Sequence, residues 1–376
     1  MQYVNTHTNS TMKQIRNLLV LSLTILSSDI ILAQNTSGNS IEQYQKIENA
    51  ISRLEEIKSD NDWKAISLPA QTTAPADENS EVMEEIKKRL DLLGDFKSSG
   101  NLFAGNRRMD DAVKRFQTRH GLEPTGMIDA AFLKALNVPL ETRINQLRVN
   151  KDRLLKENTE VQGKRIVANI PEYKLHAFEN GHEVLSMDIV VGKTTNKTVV
   201  FSDALTQIVF SPYWNIPESI VKNEILPAIK RNPRYLRINH METTGTRNGV
   251  PEIRQKPGPK NSLGKVKFLF PNKYDIYFHD TPAKALFARN KRAFSHGCIR
   301  LSQPLELAKY LLRDDPKWNE AAIRSAMNGS SEKYATLKTP VPVSISYYTA
   351  WVDASGNVHF REDIYGHDKG LVSLSQ

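Results

Sequence analysis

The chain has 376 residues, of which 39% are hydrophobic and 25% charged, so it is expected to bury ordinary cores in two or three domains. Its formal net charge of +9 favours anionic surroundings, such as nucleic acid, a membrane surface or an acidic wall polymer, but it also fits a soluble basic protein. The sequence has neither zinc-finger spacing nor a dense basic arm, which argues against a nucleic-acid-binding protein. A single cysteine, Cys298, excludes an internal disulfide.

The segment 1–33 is predicted to be an export signal. Lys13 and Arg16 precede an apolar run that Asp29 ends before the run is long enough to span a bilayer. We expect cleavage after Ala33; an uncleaved signal is the alternative and would keep the protein associated with the membrane. Because no cysteine directly follows the apolar run, a lipoprotein anchor is excluded.

Residues 34–80 are predicted to form one helix and a linker. Apolar residues from Tyr44 to Leu54 have helical spacing. The stretch at 71–80 is rich in Thr, Ala, Pro and Asp, which is typical of a linker or surface loop.

A small helical unit is predicted over 81–139. One apolar face runs from 82 to 90, and a second helix begins near Asp110. Gly121 supplies a left-handed stop to the second helix, and Asp129 caps a third.

This order of helices resembles the peptidoglycan-binding domain of many exported wall enzymes. The residues that carry the resemblance are AVKRFQ at 112–117, HGL at 120–122 and TGMID at 125–129. A three-helix packing unit without a ligand is the alternative.

Strand patterning begins at residue 164, after a connecting segment (140–163) that is predicted to be a charged amphipathic helix. Turns separate the β-rich runs and predict a mainly-β domain over 164–353. Residues 212–264 are predicted to be a helical and loop insertion in that domain, and 354–376 a C-terminal tail. The β-rich runs lie at 165–170, 174–178, 184–191, 208–210, 266–270 and 341–352.

The cysteine lies in the run Ser295-His296-Gly297-Cys298-Ile299-Arg300. Gly297 permits an unusual backbone angle beside the thiol. We expect Ser302 to cap a following helix, which would place the thiol near a helix N-terminus and a histidine, where a thiolate is favoured. A small buried hydrophobe is the alternative interpretation of a lone cysteine.

The run YDIYFHD at 274–280 is predicted to be a strand whose side chains alternate between two faces. If Ile276 and Phe278 face the core, Tyr277 and His279 share the open face. The imidazole there can take the thiol proton and return it to an amine. Zinc binding by the cysteine and the two histidines is the weaker alternative, because the spacing matches no common zinc motif and no fourth ligand is evident.

Together these residues resemble the L,D-transpeptidase family of bacterial cell-wall enzymes. The family signature is a histidine, a gap of about fifteen residues and then Ser/Thr-His-Gly-Cys; here fifteen residues separate His279 from Ser295. The resemblance covers most of 41–368. It implies a multidomain α+β fold, with a mainly-β catalytic domain, an inserted helical and loop capping subdomain, and a small three-helix peptidoglycan-binding-like domain. Further matching segments are NIPEY at 169–173, PYWNIP at 212–217, PGPKNSLG at 257–264 and YYTAW at 347–351.

The resemblance also implies site residues, without a metal or organic cofactor. Cys298 would be the nucleophile and His279 its base and acid. Tyr277 and the backbone at Gly297 and Cys298 would hold the oxyanion. Trp214 would line the substrate groove, with packing inside the insertion as an equal alternative. The full sets implied are Cys298, His279, Gly297 and Tyr277 as catalytic residues, and Ser295, His296, Arg300 and Trp214 as substrate-binding residues.

The activity implied is a two-step acyl transfer on peptidoglycan. The cysteine takes a tetrapeptide stem with release of D-alanine, and an amine of a second stem then forms a 3→3 cross-link. The implied partners are stem peptides and glycan strands, without nucleic acid, for a carbapenem-sensitive monomer in the periplasm or cell envelope that affects cell shape. The alternatives are an L,D-carboxypeptidase or amidase that hydrolyses the same bonds, a non-catalytic wall-binding protein and a general cysteine protease.

Overall fold

A computed structural model of the protein describes residues 42–67, 81–96, 105–156 and 163–369. The export signal predicted over 1–33 and the linker predicted over 71–80 lie outside these residues. In the described part of the chain, no helix is both long enough and apolar enough to cross a membrane.

Helix α1 (42–60) is the helix that the apolar spacing near the N-terminus predicts. Its buried face packs against α5 (Leu140–Lys156), which begins where the amphipathic helix was predicted and lies within the predicted segment 140–163. Strands β13 (Ala350–Val352) and β14 (Val358–Phe360) complete the same hydrophobic cluster. Elements from both ends of the described chain therefore share one core.

The predicted three-helix unit has a separate core. Asp129 caps the last helix as predicted, because its side chain accepts a hydrogen bond from the Phe132 N–H at 2.8 Å. Gly121 follows the middle helix with a φ of +67°. The middle helix begins before the predicted Asp110, since its first residues, Gly-Asn-Arg-Arg, lack the apolar spacing that the prediction needs. The three helices are α2 (Glu81–Leu92), α3 (Gly105–Arg119) and α4 (Ala130–Leu136).

The three-helix unit is fixed to the C-terminal hairpin of β13 and β14. The His120 ring stacks on Phe116, with 3.7 Å between ring centroids, and on Phe360 at 5.5 Å. Arg361 donates from Nη1 to the Arg119 carbonyl at 2.8 Å. One end of α3 is therefore used in a contact with the rest of the protein.

Nine strands form the main sheet, in the order β10-β3-β11-β9-β8-β4-β12-β1-β2. The additional pairing of β2 with β3 closes the sheet on itself. The predicted strands are all present, but β12 begins well before the predicted residue 341. The prediction missed this part of the strand because the polar, proline-containing stretch before 341 shows no alternation. The pairing of β12 with β4 continues through that stretch with a register shift between Thr336 and Val341. The strands are β1 (Lys164–Asn169), β2 (Lys174–Glu179), β3 (His182–Gly192), β4 (Phe201–Phe210), β8 (Val266–Leu269), β9 (Phe278–His279), β10 (Ala293–Ser295), β11 (Ile299–Leu301) and β12 (Lys333–Ser346).

The chain between β4 and β8 forms the predicted insertion, with its own small core. The prediction of helices and loops alone was incomplete, because three strands pair into an additional sheet. The strand sequence METTGTR lacks the apolar alternation that identifies a strand, since most of its side chains face solvent. The elements are β5 (Trp214–Asn215), α6 (Glu218–Ile220), a π-helical turn (Val221–Ile225), α7 (Leu226–Arg231), α8 (Tyr235–Ile238), β6 (Met241–Arg247) and β7 (Val250–Gln255).

Two further helices and the C-terminal segment cover the main core. Helices α9 (Pro304–Leu312) and α10 (Glu320–Met327) pack their apolar faces into it. The segment predicted as a C-terminal tail, 354–376, differs from that description over 354–369. There β14 pairs with β13, and Tyr365 is buried in the main core.

Candidate active site

Two neighbouring strands place the predicted site residues on one face. Strand β9 pairs in parallel with β11, so that Phe278 lies opposite Ile299 and His279 opposite Arg300. Phe278 and Ile299 are fully buried in the core. Because side chains alternate along a strand, their neighbours project from the other face. Those neighbours are Tyr277, His279, Cys298 and Arg300.

The predicted strand over 274–280 is much shorter in the structure. Asp275 has a φ of +54°, which turns the chain sharply, and only Phe278–His279 pairs as β9. Ile276 and Phe278 nevertheless enter the core, as the alternation predicts.

The Cys298 loop, defined as 295–300, is held together by the Ser295 hydroxyl. Ser295 Oγ accepts a hydrogen bond from the Gly297 N–H at 3.0 Å and donates one to the Cys298 carbonyl at 2.5 Å. Gly297 has a φ of +124°, a conformation that residues with a Cβ rarely adopt. Ser295 is only 2% exposed, so its side chain shapes the loop from inside.

The Cys298 thiol is surrounded by groups of the 275–277 segment. Sγ lies 3.6 Å from the Asp275 carbonyl, to which it donates. Burial raises the pKa of the Cys298 thiol to about 11, although hydrogen bonds from Tyr277 and the charge of Arg300 act in the opposite direction. Burial likewise raises the pKa of Tyr277, so its phenol stays protonated and donates.

The resting cysteine is therefore a thiol, and the prediction of a thiolate favoured by a helix N-terminus is wrong. Strand β11 directly follows Cys298, and α9 begins only at Pro304. Gln303, rather than the predicted Ser302, occupies the N-cap position of α9, and no side chain caps that helix.

His279 is held as a neutral base. Its Nδ1 lies 2.5 Å from the Asp280 carbonyl oxygen. A carbonyl can only accept, so Nδ1 carries the proton and Nε2 is left as a proton acceptor. Burial, together with the positive charge of Arg300, lowers the pKa of His279 to about 3. Among the described residues, the thiol makes hydrogen bonds to Asp275 and Tyr277 rather than to His279.

Asp280 is fixed so that its carbonyl can orient His279. Its carboxylate accepts from the Lys265 N–H at 2.9 Å and from Lys284 Nζ at 2.6 Å. A Cβ at Gly264 would collide with that carboxylate, and Gly264 has a φ of +61°. The orientation of the imidazole therefore depends, through the backbone, on a buried acidic residue.

Comparison with known proteins identifies the family. Residues 163–343 match the family model described as the L,D-transpeptidase catalytic domain. The chain carries an L,D-transpeptidase domain. Residues 79–136 match a family of peptidoglycan-binding domains whose ligand assignment is provisional. The family and the α+β fold expected from the sequence are thereby confirmed.

Several relatives of the L,D-transpeptidase domain are similar to this chain. A Haemophilus influenzae protein with a provisional L,D-transpeptidase assignment is 31% identical over 222 residues, which cover 55% of this chain and 45% of that protein. The match thus spans less than half of the curated relative. An L,D-transpeptidase structure from Stackebrandtia nassauensis is 14% identical, covering 74% of this chain and 97% of that one, with a TM-score of 0.29. L,D-transpeptidase 3 from Mycobacterium tuberculosis, solved with a faropenem-derived adduct, is 17% identical, covering 49% of this chain and 60% of that one, with a TM-score of 0.26.

Arg300 supplies an unneutralised positive charge beside the site of the L,D-transpeptidase domain. Its charge helps to lower the pKa of His279, and it opposes the rise that burial causes in the pKa of Cys298. Its buried Nε atom has no hydrogen-bond partner among the described residues, and no ion pair of Arg300 is found there. Such a group can accept an anionic substrate without first losing another partner.

His296 connects the Cys298 loop to the insertion. Its Nε2 lies 2.8 Å from Glu224 Oε1, and Glu224 belongs to the π-helical turn of the insertion. Glu224 could not be predicted as part of the site, because nothing in the local pattern distinguishes it from other surface acids. The pair is a direct side-chain contact between the insertion and the loop that contains Cys298.

Glu224→Gln is expected to change the free energy of unfolding by less than about 1 kcal/mol, since both partners are substantially exposed. Because the pair seats the insertion against the loop, the same variant should raise the KM for a donor peptide about two- to fivefold. Glu218→Gln is the matched control, because it breaks an exposed pair with Lys222 on the same segment without touching the loop. Equal KM values for Glu224→Gln and Glu218→Gln would show that the Glu224–His296 pair does not seat the insertion against the loop.

Trp214 packs inside the insertion. It lies against the insertion core and is not among the described contacts of the Cys298 loop, so the packing alternative is the one that its contacts favour. A separate cleft of about 370 Å³ adjoins the thiol through Asp275 and Tyr277. Its other lining residues include Thr206, Gln207, Asn272 and Thr336.

Two residues that contact the backbone beside Cys298 were not predicted from the sequence. Thr198 donates to the Gly297 carbonyl in the Cys298 loop, and Tyr365 donates to the Gly192 carbonyl in β3. Thr198 lies in a polar turn, and Tyr365 lies in the segment predicted as a tail, so neither pattern indicated a site. Within the described residues, no group of three or more His, Cys, Asp or Glu side chains is arranged to hold a metal ion.

Proposed function

We propose that this protein is a peptidoglycan L,D-transpeptidase with Cys298 as its nucleophile. The observation that carries the proposal is the common face of β9 and β11, where a thiol, a neutral imidazole, a phenol and a free guanidinium lie together. The match of 163–343 to the L,D-transpeptidase catalytic domain supports this assignment.

In the first step, His279 Nε2 takes the proton of Cys298 Sγ as Sγ attacks the carbonyl carbon at the L-centre of the third stem residue. The carbonyl becomes a tetrahedral oxyanion. The Cys298 N–H and the Tyr277 hydroxyl are the donors we assign to it, because the Gly297 N–H is already engaged by Ser295. The C–N bond to the terminal D-alanine then breaks, and His279 gives its proton to the departing amine, leaving a thioester.

In the second step, an amine of another stem attacks the thioester carbonyl. His279 accepts the amine proton and returns it to Cys298 Sγ as the C–S bond breaks. The product is a 3→3 cross-link, and the cysteine is regenerated as a thiol. The step requires that water be kept from the thioester, a role that suits the insertion joined to the loop through Glu224 and His296.

The remaining charged and wall-facing groups have roles in binding. Arg300 accepts a carboxylate of the donor stem through its unpaired guanidinium. The three-helix unit holds the enzyme on glycan strands, and the net charge of +9 favours an acidic polymer. We assign the protein to the periplasm or cell envelope after export by residues 1–33. The faropenem-derived adduct on a related structure makes penems and carbapenems the natural covalent probes.

The experiment is mass spectrometry of the products from disaccharide-tetrapeptide, with Cys298→Ala as the control. A 3→3-linked dimer together with free D-alanine is expected from the wild type alone. Tripeptide monomers without dimers would instead identify an L,D-carboxypeptidase. If neither the wild type nor Cys298→Ala changed the substrate, the protein would be a wall-binding protein without this activity.

A further inference from the structure

A buried threonine holds the Cys298 loop from outside the loop itself. Thr198 Oγ1 lies 2.9 Å from the Gly192 N–H and 2.8 Å from the Gly297 carbonyl oxygen. The N–H can only donate, so the hydroxyl accepts from Gly192, and its own proton is directed to Gly297. Thr198 is fully buried, and no water is needed to satisfy it.

The Tyr365 hydroxyl fixes Thr198 in turn. It accepts a hydrogen bond from the Thr198 N–H at 3.2 Å and donates one to the Gly192 carbonyl. Thr198 and Tyr365 thus engage both backbone groups of Gly192. A Cβ at Gly192 would collide with the Asn196 carbonyl, so the turn between β3 and Thr198 requires a glycine at this position.

Tyr365 is itself anchored at both backbone groups. Its N–H donates to the Tyr347 hydroxyl at 2.7 Å, and Tyr347 donates to Asp363 Oδ1 at 2.6 Å. Its carbonyl accepts from Lys197 Nζ at 2.7 Å. The C-terminal segment therefore presents the phenol to β3 in a fixed position, which a loose tail would not do.

This network decides where the Cys298 N–H points. In a trans peptide the C=O and the following N–H point in opposite directions, so a fixed Gly297 carbonyl aims the Cys298 N–H away from Thr198. Gly297 has no side chain that would restrict rotation of this peptide. The Cys298 N–H has no hydrogen-bond partner within the described part of the chain, and it is free to donate to a ligand.

We propose that Thr198 and Tyr365 are positioning residues, which orient the Gly297–Cys298 peptide so that the Cys298 N–H meets the developing oxyanion. This inference rests on the proposed function. Neither side chain contacts the thiol, and their effect passes through the backbone of Gly192 and Gly297. Loss of a whole oxyanion donor costs a factor of roughly 100 to 1,000, so a misdirected donor should cost about tenfold or more.

The test measures acylation of the full chain by faropenem, followed by intact mass and resolved into a maximal rate constant and an apparent affinity. Tyr365→Phe and Thr198→Val each remove a hydroxyl and keep the shape of the side chain. Both should lower the maximal rate constant about tenfold or more. The apparent affinity should change by less than about threefold, because no contact to the free ligand is lost.

Two matched variants separate positioning from stability. Tyr310→Phe is the control for Tyr365, because the Tyr310 hydroxyl also donates to a backbone carbonyl, that of Phe178, at 2.8 Å on another part of the sheet. It should lower the thermal midpoint, by less than Tyr365→Phe because one hydrogen bond is lost and not two, while acylating at the wild-type rate. Thr198→Ser keeps the hydroxyl and should recover most of the rate lost in Thr198→Val.

Wild-type rates in Tyr365→Phe and Thr198→Val would overturn the inference and leave the proposed function intact. An equal loss in Tyr310→Phe, or no recovery in Thr198→Ser, would also overturn it, since the effect would then be one of stability or packing. A wild-type protein that faropenem does not acylate at Cys298 would instead count against the proposed function itself.

Discussion

Cys298→Ser is expected to lower the rate of D-alanine release from a tetrapeptide stem by a factor on the order of ten thousand or more. A serine hydroxyl has nearly the shape of the thiol, but the neutral, buried base at this site is too weak to activate it. The measurement is the initial rate of D-alanine release at saturating donor, for purified wild type and variant.

The thermal midpoint of Cys298→Ser should stay close to that of the wild type, because Cys298 is only partly buried and a serine hydroxyl can also donate to the Asp275 carbonyl. A variant that is folded yet retains a tenth or more of the wild-type rate would show that the nucleophile lies elsewhere. Since Cys298 is the only cysteine, a cysteine mechanism would then be excluded.

His279→Gln is expected to lower the same rate by about 100- to 10,000-fold, the usual contribution of a general base. Glutamine fills a similar volume and can still donate to the Asp280 carbonyl, but it cannot take a proton from the thiol. The maximal rate should fall much more than the affinity for donor, because the imidazole is only 4% exposed. If His279→Gln weakened the affinity for donor and left the maximal rate unchanged, His279 would not be the general base.

The neutral state of His279 determines how the acylation rate depends on pH. The base works as the neutral imidazole, so activity is lost as the pH falls through the pKa of His279, which burial and Arg300 lower to about 3. The acid limb of the wild-type acylation rate should therefore lie well below the ordinary histidine value near 6.5. Arg300→Gln removes a nearby positive charge, which must raise the pKa of His279 and shift the acid limb to higher pH. A shift toward lower pH in this variant would contradict the assignment.

Local patterns were sufficient to predict the elements that depend on nearby residues. The first three strands of the sheet, the Asp129 cap and the shared face of Tyr277 and His279 follow from alternation and capping chemistry, and the structure has all of them. His279 and the Cys298 loop are far apart along the chain. Their proximity could be predicted only because each adjoins a core residue of a strand, and the two strands pair.

Features that depend on burial or on distant partners could not be predicted in the same way. The neutral thiol results from packing around Cys298, whereas the sequence suggested a thiolate from its position before a helix. Two hydrogen bonds of Gly297 were likewise not predictable from local sequence. Its N–H donates to Ser295 and its carbonyl accepts from Thr198, and these contacts are set by the folded structure. Tyr365 lies far from the loop along the chain, so no spacing rule connects it with the site.

The central claim is that Cys298 carries the acyl group of the donor stem. Intact-mass analysis of wild type and Cys298→Ala, each quenched shortly after mixing with a tetrapeptide stem and no acceptor, tests it most directly. The account predicts that the wild type alone gains the mass of the stem minus one D-alanine, and that hydroxylamine, which cleaves thioesters, removes it. The same adduct on Cys298→Ala, or release of D-alanine by the wild type with no adduct at any quench time, would contradict it.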